Sequence, residues 1–394
     1  MRLSVVFATI LSIAVMAACG GGTTVTNNPM SASSPNNPGV PATPGNPGAP
    51  PSGSTSSSGS GTWQRVSLPS AVTHLNHIAF SSGGHWFIAD RTQGFYRSTD
   101  QGASWTRINT GLATTFGFTI DVNRATGVLI ASTYPGVNLT SPIRFYRSTD
   151  EGSHWTAITT SFGLSAFPAP SGCAFASNGN VVCGGFWSPA PYSGVWVSSN
   201  GGLTTVAGLT APAIGGAFSF ALNPVTKNLW LGNETQGVFR STDNGFSWTR
   251  ESPPDQAVDP VHGIRDGNAI SFTFDRYGNV LFASQGGIWK SSNSGTSYTW
   301  RNVMPNRNTS AGKSLGRDGS GNLYYGHNFD TTNPTTIYRS IDNGATWTAY
   351  DSGVPHFLEA AQFLVDPADR KMYVYVEDEA TGVGTLYRTA SPVQ

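Results

Sequence analysis

An eight-residue segment recurs along this chain and narrows the folds open to it. Ser98-Thr99-Asp100-Gln101-Gly102-Ala103-Ser104-Trp105 returns as Ser148 to Trp155, Ser241 to Trp248 and Ser340 to Trp347, with degenerate copies at Ser198 to Gly202 and Ser291 to Tyr298. Successive leading serines are 50, 50, 43, 50 and 49 residues apart. Repeats of this length build architectures in which each unit buries its apolar face against its neighbours. Within the segment, Ser and Asp can accept backbone N–H groups, Gly supplies a positive φ, and Trp packs into the sheet layer. The segment therefore reads as a hairpin staple. Its carboxylates, Asp100, Asp150, Asp243 and Asp342, read as structural rather than catalytic.

The strands around it repeat as well. Phe95-Tyr96-Arg97-Ser98 recurs at Phe145, Val195, Val238, Ile288, Ile337 and Leu386, which makes seven copies. Two further strands precede each copy, so a unit has four strands, the content of a propeller blade. The Leu386 copy has no turn segment or strand after it, whereas Thr62-Trp63-Gln64-Arg65-Val66 matches the strands that follow the turn at Ser104 to Ile108 and Thr346 to Tyr350. Pairing the first strand with the last blade would close the ring and remove its open sheet edges. The expected fold class is all-β, a single seven-bladed β-propeller with four-stranded antiparallel blades over residues 62–394.

The remaining residues carry a different signal. Arg2 followed by the apolar run Leu3 to Met16 reads as a signal peptide over residues 1–18. Val15-Met16-Ala17-Ala18-Cys19 is similar to a bacterial lipobox, which implies lipidation at Cys19 and an extracytoplasmic, cell-envelope location, at the outer membrane or cell surface. Residues 20–61 hold no charged and no aromatic side chain, so 19–61 is expected to be a lipidated, disordered tether. In such a compartment Cys173 and Cys183, on adjacent strands, form either a disulfide or two buried thiols, depending on register. With 22 basic and 22 acidic residues the chain has no bulk charge to draw it to nucleic acid. The lipid is the expected membrane contact, and a monomer the expected state.

The repeated segment resembles the Asp-box, or BNR, motif, and the resemblance covers the chain from about residue 62 onward. Sialidases, xyloglucan-cleaving glycoside hydrolases, sortilin-type receptors and the photosystem II assembly factor share the box. Sialidases have six blades and an Arg cluster opened by Arg-Ile-Pro. The nearest text here, Pro142-Ile143-Arg144, is reversed and precedes the second box. Xyloglucanases match the blade number but pair two propellers across a cleft with a carboxylate in each. The single-propeller assembly factor, a protein-binding scaffold, resembles the chain most in overall plan. The resemblance implies a non-catalytic propeller that binds a protein or glycan, with glycoside hydrolysis as the alternative.

Function is expected on the face opposite the boxes, where the longer connections lie. Tyr134, Phe167, Trp187 and Tyr192 are aromatics held by Pro and Gly, suited to stacking on sugars or anchoring a protein. Arg91 and His262 are candidate ligand contacts as well. Arg91 and Glu234 occupy equivalent places in Arg91-Thr92-Gln93-Gly94 and Glu234-Thr235-Gln236-Gly237. If the chain hydrolyses glycosides, the carboxylates to consider are Glu234, Asp259, Asp330 and Glu359. No spacing matches a metal-ligand motif, and no metal or cofactor is expected.

Overall fold

The structure, a computed structural model, describes residues 62–133, 144–160, 169–186, 195–201, 204–208, 217–233, 237–251, 271–284, 287–291, 300–305, 314–326, 334–356, 358–378 and 381–393. These form seven sheets, antiparallel except for one edge pair, that follow one another along the chain, with no helix among the described residues. Counted from the N-terminus, the innermost strands of blades 1 to 7 are Leu75–Phe80, Gly117–Val122, Ala169–Phe175, Ala217–Leu222, Ser271–Phe274, Ser314–Arg317 and Glu359–Val365. Each innermost strand touches that of the next blade, and the seventh touches the first. The architecture is a closed seven-bladed β-propeller.

The core is divided accordingly. Seven apolar clusters sit between consecutive blades, for example Leu75, Phe80 and Tyr375 between blades 7 and 1, and Val182, Leu231 and Phe239 between blades 3 and 4. Both faces of a blade are thus buried, which explains strands such as Trp86–Asp90 that are apolar almost throughout rather than alternating.

Closure is made by the N-terminal strand. Trp63–Val66 pairs antiparallel with Val383–Thr389, with Trp63 opposite Thr389 and Val66 opposite Leu386, and so supplies the outer strand of blade 7. Blade 3 departs from the four-strand expectation. Thr159–Thr160, in the connection leaving blade 2, pairs in parallel with the outer strand Thr204–Gly208 and covers an edge that would otherwise face solvent. In the same blade Cys173 lies directly opposite Cys183 and the two form a disulfide, with Cα atoms 4.1 Å apart.

Candidate functional site at the channel mouth

The two faces of the ring differ in what their polar groups do. On the box face, Ser98 Oγ donates to Asp100 Oδ1 at 2.8 Å and accepts the Gly102 N–H at 2.8 Å, while Asp100 also accepts the N–H and hydroxyl of Ser104. The same bonds recur around Asp243 and Asp342, and around Asp150 with the His154 ring in place of the hydroxyl. The Ser104 hydroxyl and N–H hold Asp100 at about 2, the His154 N–H does so for Asp150, and the Thr346 hydroxyl for Asp342. At Asp243, burial pushes the carboxyl up but the bonds from Ser247 and Ser241 outweigh it, leaving it lowered. These carboxylates hold turns in shape.

Three of the boxes are also tied to the preceding blade in the same way. The basic residue of the repeated aromatic strand reaches a carbonyl of the next box: Arg97 Nη1 to Glu151 O at 3.1 Å, Arg147 Nε to Gly201 O at 2.6 Å, and Lys290 Nζ to Asn343 O at 2.6 Å. The accepting residues have positive φ, between 57° and 70°, which turns the carbonyl toward that donor. The repeat of Arg or Lys was visible in the sequence, but its task was not.

At the opposite face the innermost strands of blades 1, 2, 3, 4 and 7 each carry a register shift near their start, at Asn76, Phe118, Ser171, Phe218 and Ala361. Bulges of this kind re-aim side chains and recur at barrel rims and beside functional sites. Between blades 7 and 1 they frame a polar cluster. Arg91 donates from Nε to Asn76 Oδ1 at 3.0 Å and pairs through Nη2 with Glu377 Oε2 at 3.4 Å. Asn76 Nδ2 passes the connection on to Phe118 O at 2.5 Å. Tyr375 Oη donates to Glu377 Oε2 at 3.0 Å, and burial, followed by the Glu377 charge, pushes its hydroxyl well above the ordinary range. Buried Glu359 stands opposite Glu377 in the strand register. The turn that presents Arg91 is fixed by fully buried Asp90, which accepts the N–H groups of Thr73, His74, Thr92 and Gln93 and the Thr92 hydroxyl.

Of the residues singled out from the sequence, the structure thus places Arg91 and Glu359 at one seam of the mouth. Tyr134, Phe167, Trp187, Tyr192, His262, Glu234, Asp259, Asp330 and Cys19 lie outside the described residues. Glu377 and Asn76 were not anticipated. The signal for Glu377 was present, since its strand position in blade 7 corresponds to that of Arg91 in blade 1.

Deeper in the channel, side chains of one blade cover the free inner edge of the next. Gln362 accepts the Ile78 N–H at 3.0 Å and donates to Ile78 O at 3.2 Å, His77 Nδ1 meets Ile120 O at 2.9 Å, Ser271 Oγ accepts the Leu315 N–H at 3.1 Å, and Ser314 Oγ donates to Ala360 O at 2.5 Å. Asp121 does the same from blade 2 by accepting the Cys173 N–H; burial pushes its carboxyl up, against the pull of His77 and of that bond. Among the described residues no group of three or more His, Cys, Asp or Glu is placed to hold a metal ion.

No family model matches the chain. A xyloglucanase of Paenibacillus sp is 26% identical over 140 residues, 31% of this chain, which spans only 13% of that enzyme's length. Among solved structures, YCF48 bound to D1 peptide superposes with a TM-score of 0.60 at 14% identity, covering 84% of this chain and 97% of that one. A catalytically inactive virginiamycin B lyase from Staphylococcus aureus with quinupristin gives 0.61 at 15%, covering 83% and 98%. The GH74 xyloglucanase from Xanthomonas campestris gives 0.58 at 16%, covering 80% of this chain and 52% of the enzyme. These likenesses establish the seven-bladed fold, which is shared by a peptide binder, a lyase and a glycoside hydrolase.

Proposed function

We propose that this chain is a non-catalytic ligand-binding propeller, displayed outside the cytoplasm by a lipid on Cys19 and a flexible tether, which binds a protein segment or a glycan on the face opposite its boxes. The observation that carries the reading is the way the described charged groups at the seam of blades 7 and 1 are spent on one another. Arg91, Glu377, Tyr375 and Asn76 form one connected network, and Asp90 is saturated by five donors. A rigid, internally satisfied rim presents shape and hydrogen-bonding groups to a partner, whereas acid–base catalysis needs a group held ready to exchange a proton with substrate. The peptide-bound neighbour of the same plan favours a protein ligand.

One observation favours a second reading. Glu359 and Glu377 face each other across a strand pair at the mouth, and glycoside hydrolysis uses two carboxylates about 5–9.5 Å apart. The local similarity to a xyloglucanase points the same way. Capture from a peptide library and a glycan array by the full chain, alongside turnover assays on aryl-glycosides and xyloglucan, separates the two. Binding that is weakened by Arg91→Ala, without turnover, supports the proposal. Hydrolysis abolished by Glu359→Gln or Glu377→Gln overturns it in favour of the enzyme.

A further inference from the structure

The inner-edge contacts are incomplete, since among the described residues Phe220, Phe272 and Phe363 receive no side-chain bond from the preceding blade, but at one seam alone the covering position carries no side chain at all. Counted from the register with the second strand, the covering position is Gln362 in blade 7, His77 in blade 1, and Ser271 and Ser314 in blades 5 and 6. In blade 3 that position is Gly172, opposite Gly184. Its φ is +141°, a conformation suited to glycine, and a Cβ placed there would meet nothing within 4 Å. Two residues along, the position from which Asp121 reaches across in blade 2 is Ala174 in blade 3, so neither position offers a polar side chain.

The backbone left uncovered belongs to Phe220 of blade 4. Phe220 pairs with Leu231 as Ile78 pairs with Ile88, so its N–H and C=O point away from the sheet toward the axis. Among the described residues no side chain of another blade bonds to either group. Blade 4 is under-bonded on its other side as well, since Ser219 Oγ is buried without a hydrogen-bond partner among the described residues, whereas Ser271 and Ser314 at the same repeat position each bond the following blade. Free inward-facing strand edges attract hydrogen-bonding partners, and unpaired buried polar groups are costly.

We propose that the seam between blades 3 and 4 is a subsite for the primary carboxamide of an Asn or Gln side chain of a peptide ligand, bound two-point to Phe220. The protein itself displays the required geometry at the seam between blades 7 and 1, where the Gln362 carboxamide takes both the N–H and the C=O of Ile78. A carboxamide has one acceptor and one donor side by side, which a hydroxyl or carboxylate does not offer. The subsite deepens the protein-ligand reading of the mouth and rests on it.

The test is an amide-resolved NMR titration of the full chain with N-acetylglutamine N-methylamide, with N-acetylglucosamine as the second probe. The Phe220 amide is expected to shift saturably with the peptide amide while the Ile78 amide, already engaged by Gln362, stays in place. Ala174→Asn should supply an internal partner and abolish the shift, and Gly172→Ser should do likewise if its strained φ still permits folding, which the rest of the spectrum reports. An unmoved Phe220 amide, parallel movement of Ile78, or a response to the sugar without one to the peptide amide overturns the subsite. Peptide capture that is lost in Arg91→Ala while Phe220 stays unmoved would remove only the subsite. Absence of any peptide capture would remove the broader reading instead.

Discussion

The Trp63 N–H donates to Ser352 O at 2.9 Å, joining the first strand of the propeller to the end of blade 6. Trp155 makes the same bond to Thr110 O, at 2.9 Å, between consecutive blades 2 and 1. The indole N–H groups match as well, Trp63 Nε1 to Tyr350 O and Trp155 Nε1 to Ile108 O, both at 2.6 Å. Even the glycines correspond, since a Cβ on Gly353 or Gly111 would strike the carbonyl oxygen of Trp63 or Trp155. Trp63 therefore occupies the place of a box tryptophan in a blade that has no box before it.

Ring closure should accordingly depend on this strand. Trp63 is almost fully buried, and Trp63→Ala is expected to cost about 3–5 kcal/mol in a denaturant titration. Removing residues 1–61 should leave the melting temperature unchanged, while removing 1–70 should lower it sharply and promote aggregation. Equal melting temperatures for the two truncations would contradict closure by this strand.

The boxes set the acid limit of the fold. Asp100, Asp150 and Asp342 titrate at about 2 in the folded chain against an ordinary value of 3.8. Folded values below the unfolded ones mean that their contribution is complete above the ordinary value and is lost as pH falls through the folded one. Stability measured by urea titration should therefore hold down to about pH 4 and decline between about pH 4 and 2. Asp342→Asn should flatten part of that decline, and an unchanged slope would count against the boxes as its source.

Asp121 has the opposite sign. Its folded value is raised, so its ionised form costs stability at neutral pH and protonation relieves that cost as pH falls toward the raised value. Asp121→Asn keeps an acceptor for the Cys173 N–H and removes the charge. The variant should be more stable than the parent at pH 7, with the difference shrinking on acidification, and a pH-independent difference would refute this account.

The disulfide should contribute on the scale of a short loop. Cys173 and Cys183 are 10 residues apart, and reduction or a Cys173→Ser, Cys183→Ser double variant is expected to cost about 2–4 kcal/mol while the far-ultraviolet circular dichroism persists. Loss of the sheet signal would show that the fold depends on the bond.

Anchoring rests on the sequence around Cys19. Cys19→Ser should move the chain from the membrane fraction to the soluble fraction, and intact mass should show an acyl modification on the parent alone. A parent without acyl chains would rule out the lipid.

The sequence by itself determined the blade count, the closure and the task of the boxes, because these follow from local chemistry repeated at a fixed interval. A Ser–Asp–Gly turn holds itself together within eight residues, so Asp100 and Asp342 are legible as staples without their neighbours. The register of one hairpin turned on the exact residues of its turn, where the Ala176 N–H meets Asn180 O, and only the structure put Cys173 opposite Cys183. The same holds for the mouth. Arg91 and Glu377 lie 286 residues apart and meet because the ring brings blade 7 against blade 1, and Gln362 reaches Ile78 across 284 residues for the same reason. Glycine at position 172 reads as one of many in the chain; it becomes a gap only when the curvature of the ring sets it beside the free edge of Phe220.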